Sequence, residues 1–351
     1  MVELTPHETE KWLSRGGSLL GMRRHILSGD GEKSGMEVLA SKIVEKIKDR
    51  LDILYVIGGN GTLSMAHLIA KLNHSVQIVG IPKTMDNDVF WVSESFGFKT
   101  AVENSAHIIN TLNDEAESTR RIFLLEVFGA ESGFVAANAS IASGHVDLVL
   151  IPEDFDGLTK EQCEEVLQSY FLHLRGIIEG GNDKSDATPY ANVVLAEGTA
   201  EILERVGVEL GGKEIKKEDK ITKEKIFLGQ LKNYIKNQNW EVAIGRQGSR
   251  KEAVGVFYNR PEHYIRATPA NSNDQIFCDS LGSMAVDSAL AGFTDFMISE
   301  WHNSFVLVPL ELVANRTKRI DPKGTFWKQV INNTRQPCNP YHMEELTETG
   351  E

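Results

Sequence analysis

The stretch DILYVIGGNGTLSMAHLIAKL, residues 52–72, decides the fold. Asp52 to Ile57 is a short apolar run of strand type, Gly58 to Gly61 is a glycine-rich turn, and Thr62 to Leu72 has helical period with Thr62 at a cap position. The same alternation continues outward. Val76 to Ile81, Ile122 to Val127, Asp147 to Ile151 and Asn192 to Ala196 read as further strands. Thr100 to Leu112, Ser132 to Ser143 and Thr159 to Leu174 read as helices. Strand-like runs alternating with helices predict an α/β fold, a mostly parallel sheet wrapped by helices on both faces.

At 351 residues the chain is long enough for two or three lobes. Its formal net charge of −13 argues against binding to nucleic acid or to an anionic membrane, since both need clustered Lys and Arg. Any anionic ligand must be held by a local site. Cys163, Cys278 and Cys338 form no CxxC pair and are odd in number, which fits a reducing cytosol. The N-terminus has no apolar signal core and no run approaches a membrane span, so a soluble cytoplasmic protein is expected. Residues 179–188 and 211–225 are polar and read as surface loops, and the ending from Arg335 reads as a solvated extension.

Two motifs carry chemistry. Gly58-Gly59-Asn60-Gly61-Thr62 stands between a strand and a helix, where glycines let the backbone approach a phosphate and the helix N-terminus attracts negative charge. The alternative is a tight strand-to-helix turn. Pro82-Lys83-Thr84-Met85-Asp86-Asn87-Asp88 ends the next strand, at the edge where open α/β sheets gather ligands. Its two carboxylates, hydroxyl and lysine suit a proton abstraction, a metal contact and a phosphate contact. By itself the string reads better as an Asx-rich turn.

The ordered series GGNGT, GIPKTMDND, ESFGFKTA, RRIFLLEVFGAESGFVAANASIASG, LIPE, LAEG and HYIRATPANSNDQIFCDSLGSMAVDSALAGF, from about Gly16 to about Ile298, resembles the phosphofructokinase family, closest to its longer ATP-using and pyrophosphate-using branches. The resemblance implies two doubly wound, Rossmann-like lobes with a sugar-phosphate cleft between them. The first would hold residues 1–98 and 265–311 and the second residues 99–264 and 312–340, with 341–351 as a tail. It implies ATP-dependent phosphorylation of fructose 6-phosphate at its 1-hydroxyl, with magnesium, in a homodimer or homotetramer. Asp86 would be the general base, with Thr84 and Asp88 holding the 1-hydroxyl end of the sugar. Glu197 would accept sugar hydroxyls, and His263 and Arg266 would bind the 6-phosphate. Arg121 would be lent to a neighbouring subunit's sugar phosphate. Arg24, Gly59, Asn60, Gly61, Thr62 and Lys83 would line the nucleotide site, and Asp86, with Asn60 as a weaker ligand, would meet the metal. Gly61 favours ATP, because pyrophosphate users of the family carry aspartate there.

The chain also departs from the family pattern. Nothing before Gly58 matches the family's first Gly-rich phosphate loop, Asn60 stands where aspartate binds magnesium, and Ala130 stands where an arginine reaches the transferring phosphate. Two alternatives follow: a sugar-phosphate-binding member with little turnover and a regulatory or partner role, or a pyrophosphate-dependent phosphofructokinase. A lipid or NAD kinase, which shares a Gly-Gly-Asp-Gly-Thr string, is disfavoured by the PKTMDND and HYIR strings.

Overall fold

The structure, a computed structural model, describes residues 4–12, 15–18, 21, 32–73, 75–179, 189–208, 223–244 and 250–343. Arg24 and most of the two expected loops lie outside the described residues. The helices are α1 (Pro6–Glu10), α2 (Glu32–Ile47), α3 (Asn60–Leu72), α4 (Phe98–Thr119), α5 (Phe134–Ser143), α6 (Lys160–Glu179), α7 (Glu197–Arg205), α8 (Lys223–Asn237), α9 (Glu262–Ala267), α10 (Ser272–Leu290), α11 (Leu310–Val313) and α12 (Thr325–Thr334). The strands are β1 (Ile53–Gly58), β2 (Gln77–Pro82), β3 (Ile122–Val127), β4 (Leu148–Leu150), β5 (Ala191–Ala196), β6 (Glu241–Ile244), β7 (Arg250–Ala253), β8 (Val256–Asn259), β9 (Phe296–Trp301) and β10 (Ser304–Pro309). The five marked strands are all present. Lys223 to Lys225, expected in a loop, open a helix instead.

The chain divides into two compact units, residues 1–101 with 263–318 and residues 102–262 with 319–351. Residues 312–318 stay with the first unit, where Thr317 bridges Val89 and the Lys318 N–H donates to the Asp88 carbonyl at 2.7 Å.

The first unit is a sheet of order β1-β2-β9-β10, parallel except for β10. Alternation along β2 sends Ile78 to a core shared with Leu63, Ala66 and Ile69 of α3, and Val79 and Ile81 to a core shared with Leu281, Ala285 and Ala289 of α10. Both faces are therefore covered, which is why β2 reads as a continuous apolar run rather than an alternating one. A Cβ on Gly80 would stand 2.9 Å from Leu63, so glycine lets α3 pack close to the strand.

The second unit has a fully parallel sheet of order β4-β5-β3-β8 and a separate β6-β7 hairpin. β3 is buried at all six positions. Ile122 and Leu124 pack with Leu167, Tyr170 and Leu174 of α6 and Ile202 and Leu203 of α7, each fully buried large side chain contributing about 1.5–3 kcal/mol. The chain places β5 on one side of β3 and β8 on the other, so the strand order reverses at β3. Open α/β sheets bind ligands at the carboxyl ends of strands beside such a reversal. The α/β class read from the sequence holds in both units.

Residues 336–339 correct the expectation of a solvated extension from Arg335, while most of the expected tail, residues 344–351, lies outside the described residues. Gln336 and Asn339 are 3% and 2% exposed. The Gln336 amide accepts from Val149 N–H at 2.8 Å and donates to Val149 C=O at 3.1 Å, taking the place of a neighbouring strand on the open edge of β4. Asn339 Nδ2 donates to the Asp154 carbonyl at 2.7 Å, and His342 Nε2 lies 3.1 Å from the same oxygen. Buried backbone groups need partners, and these side chains supply them. Gln336→Ala strands both Val149 groups, and urea denaturation is expected to show a loss of about 1–3 kcal/mol.

Candidate active site

The carboxyl ends of β1 and β2 carry the two motif loops. β1 ends at Gly58 and α3 starts two residues later, with Gly59 as N-cap and no side chain capping the helix. The turn requires glycine, because a Cβ on Gly58 would stand 2.5 Å from the Thr62 side chain. The first-turn N–H groups of α3 and the positive end of its dipole are left for an anion. Gly61 and Thr62 are exposed, and a Cβ on Gly61 would meet nothing within 4 Å.

The loop after β2 is locked by its own polar groups. Thr84 is buried; its Oγ1 donates to Asp88 Oδ1 at 2.9 Å and accepts from the Asp86 N–H at 3.1 Å. Asn60 Nδ2 donates to Asp88 Oδ2 at 2.8 Å and to the Asp88 carbonyl at 3.0 Å. Both carboxylate oxygens of Asp88 are thus held. Asn87 takes a left-handed φ of 55°, and its Oδ1 accepts from the Ser95 N–H at 3.0 Å, while Ser95 Oγ donates to the Thr84 carbonyl at 2.7 Å.

Lys83, Asp86 and Arg266 lie close enough to act on one another. Burial lowers the Lys83 pKa from its ordinary value, the Arg266 charge lowers it further and the Asp86 charge opposes both. Two cations beside one carboxylate make a locally positive spot in a chain of net charge −13. His263 is exposed on α9, one turn before Arg266. Lys318 was not anticipated from sequence. Its Nζ donates to the carbonyls of Val92 at 2.7 Å and Ser93 at 3.1 Å, and burial pushes its pKa down to about 8 although Asp88 and Glu94 pull it up.

Among the described residues no three His, Cys, Asp or Glu side chains group as metal ligands. Magnesium bound to a phosphorylated substrate needs only one or two protein carboxylates, the rest of its shell being phosphate and water. Asp86 and Asp88 meet that requirement. Asn60 Oδ1 is buried and has no hydrogen-bond partner among the described residues, which makes it a further oxygen for a cation.

In the second unit, Glu197 opens α7 directly after β5, at the same sheet edge as Glu126 near the end of β3. Between them lies Arg260, just past β8, with Nη2 3.0 Å from Glu197 Oε1 and Nη1 3.5 Å from Glu126 Oε1. Sequence reading missed Arg260; the period-two row Val256, Tyr258, Arg260 was the available signal. Arg121 precedes β3, at the opposite edge from Glu197, with its guanidinium 4.4 Å from the centre of the Phe257 ring. The length of β3, about 17 Å at roughly 3.3 Å per residue, separates the two. Ala130 is exposed, with φ 48°, and its carbonyl would stand 2.2 Å from a Cβ on Gly198, so the loop abuts the residue after Glu197.

The family model for phosphofructokinase matches residues 1–289. The chain belongs to the phosphofructokinase family. It is 32% identical over 350 residues to an ATP-dependent 6-phosphofructokinase of Borreliella burgdorferi, covering 96% of this chain and 70% of that one. To a chloroplastic ATP-dependent 6-phosphofructokinase of Arabidopsis thaliana it is 32% identical over 329 residues, covering 92% of this chain and 54% of the relative. Among solved structures, a pyrophosphate-dependent phosphofructokinase from Marinobacter aquaeolei gives a TM-score of 0.60 at 16% identity, covering 92% of this chain and 74% of that one. The phosphofructokinase of Saccharomyces cerevisiae gives 0.55 at 20%, covering 88% and 38%. At those identities the structures carry the fold alone. Family membership makes the chain a phosphotransferase.

The Asn60–Asp88 bond generates a prediction for Asn60→Asp. The substitution sets two carboxylates at the 2.8 Å now spanned by a hydrogen bond. Without divalent cations the variant is expected to lose about 1–3 kcal/mol. Millimolar magnesium should restore its melting temperature while shifting the parent protein far less, which thermal unfolding with and without chelator measures.

Proposed function

We propose that the protein transfers the terminal phosphate of ATP to the 1-hydroxyl of fructose 6-phosphate. The observation that carries this reading is the locked Thr84-Asp86-Asp88 loop, set beside the open N-terminus of α3 and the Lys83 and Arg266 charges. Asp86 takes the proton from the attacking hydroxyl. Thr84 and Asp88 orient the 1-hydroxyl end of the sugar, and the bonds that fix Asp88 keep it in that orientation. Gly59, Asn60, Gly61, Thr62 and Lys83 bind donor phosphates through backbone N–H groups and one ammonium, which suits a reaction catalysed mainly by positioning and charge. His263 and Arg266 bind the 6-phosphate, and Glu197 accepts sugar hydroxyls. Asp86 and Asp88, with Asn60 Oδ1, would hold magnesium, which when bound neutralises donor phosphate charge. The open space at Gly61 supports ATP over pyrophosphate.

The position of Arg121 supports a homo-oligomer. It stands at the wrong sheet edge to share a ligand with Glu197 of its own chain, so a sugar-phosphate contact from Arg121 serves a second copy. The three cysteines are free thiols and no helix among the described residues is long and apolar enough to cross a membrane, which fits a cytosolic setting.

A second reading is favoured by Asn60 and Ala130, which offer no charge to metal or phosphate: the protein binds sugar phosphate and turns it over poorly. A coupled assay of fructose 1,6-bisphosphate formation, run with ATP and with pyrophosphate, separates the readings. The expected result is turnover with ATP. Binding of fructose 6-phosphate without turnover from either donor supports the second. Asp86→Asn is expected to lower kcat by about a hundredfold or more while calorimetric affinity for fructose 6-phosphate stays within about twofold. Light scattering is expected to report a dimer or tetramer whose fructose 6-phosphate affinity falls in Arg121→Ala; a tightly binding monomer overturns the oligomer assignment.

A further inference from the structure

The carboxyl end of the second sheet holds a charged cluster built by strand period alone. Alternation puts Ile122 and Leu124 of β3, Val193 and Leu195 of β5, and Val256 of β8 on the core face that meets α6 and α7. The parallel register sets Leu124 opposite both Val193 and Tyr258. Followed to the strand ends, these rows finish in Glu126, Glu197 and, through Tyr258, Arg260.

Arg260 contacts three carboxylates: Glu126 Oε1 at 3.5 Å, Glu197 Oε1 at 3.0 Å and Glu262 Oε2 at 3.0 Å. Glu126 is completely buried, and its Oε2 accepts from the Tyr258 hydroxyl at 2.7 Å. A carboxylate so buried stays ionised only beside a positive partner. The planar guanidinium presents five N–H groups in a fixed fork, so it can bind several carboxylates at once and hold each in place; an ammonium neutralises charge without that geometry.

We propose that Arg260 is a positioning and specificity residue for the sugar site: it fixes the Glu197 carboxylate in one orientation and offsets the charge of Glu126 behind it. The proposal rests on the reading of Glu197 as the acceptor of sugar hydroxyls. Glu197 has three rotatable side-chain bonds and a side chain 30% exposed, so unrestrained it samples several rotamers. With Oε1 held by Arg260 those rotations are settled before the sugar arrives, and binding does not have to freeze them. The electrostatics point the same way. Among the described residues one guanidinium stands among three carboxylates, so its removal makes the site more negative toward an anionic substrate. Arg260 therefore acts on substrate affinity rather than on the chemical step.

The test compares fructose 6-phosphate affinity by calorimetry with kcat and KM in Arg260→Lys, Arg260→Met, Glu197→Gln and the Arg260→Met/Glu197→Gln pair. Because Arg260→Met strands the Glu126 charge, Arg260→Met combined with Glu126→Gln is included to keep the unit folded. That combination is expected to weaken fructose 6-phosphate binding about tenfold or more, with kcat at saturation within about threefold and the KM for ATP unchanged. Arg260→Lys should fall between it and the parent. In the Glu197→Gln background, Arg260→Met should cost less than about twofold more, since it acts through a carboxylate already disabled. Unchanged affinity in a folded variant, full additivity with Glu197→Gln, or an equal loss in kcat overturns the proposal. A parent protein that does not bind fructose 6-phosphate overturns the functional reading and this inference with it; a parent that binds it alongside insensitive Arg260 variants overturns the inference alone.

Discussion

The first unit depends on one buried carboxylate. Asp274, 2% exposed on α10, accepts from the Gly97 N–H at 2.9 Å, from the Thr100 N–H at 2.8 Å and from the Thr100 hydroxyl. It therefore caps α4 from another helix, placing negative charge at the positive end of the α4 dipole and satisfying N–H groups that no intrahelical carbonyl reaches. Asn271 in turn caps α10 through the Asp274 N–H at 2.9 Å and donates its own N–H to Thr100 Oγ1 at 2.9 Å. This closed circuit anchors the far end of the loop that begins at Lys83, whose bridge to Phe96 closes it. The Asn271–Asp274 pair thus anchors the end of a loop whose Thr84, Asp86 and Asp88 are held by their own hydrogen bonds.

Legibility followed the distance over which each cause operates. β2 to β5 were readable because a strand covered on both faces must be apolar throughout, β1 because its residues are apolar although only half-buried, and the first motif loop because a strand-to-helix turn needs its glycines locally. β9 went unmarked because its apolar run stops at Ile298, before Ser299 and Glu300, whereas β10 carries an apolar run, Phe305 to Val308, that sequence reading overlooked. Arg260 and Lys318 went unread for another reason. Each gains its meaning from residues far along the chain, Glu126 and Glu197 for one and the Val92 and Ser93 carbonyls for the other, and only register or folding brings them together.

Asn60 shows how a substitution read as a loss can have a structural use. An aspartate at that point would face Asp88 with like charge and rely on a cation to relieve it. The amide instead donates to Asp88, so the loop is ordered by the protein's own hydrogen bonds, while Oδ1 remains as an uncharged oxygen. Preorganisation without metal is gained at the expense of metal affinity. The two effects oppose one another in any phosphoryl transfer that uses this loop.

The Gln336 amide on the rim of β4 has a consequence for how the chain is made. A strand rim with bare N–H and C=O groups is a template for pairing with another molecule. β4 is complete at residue 150, but its cover lies 186 residues later, at Gln336. During synthesis at roughly 5–20 residues per second, that rim stands open for on the order of ten seconds or more. Nascent chains held close together on one messenger are then the molecules best placed to adhere to it.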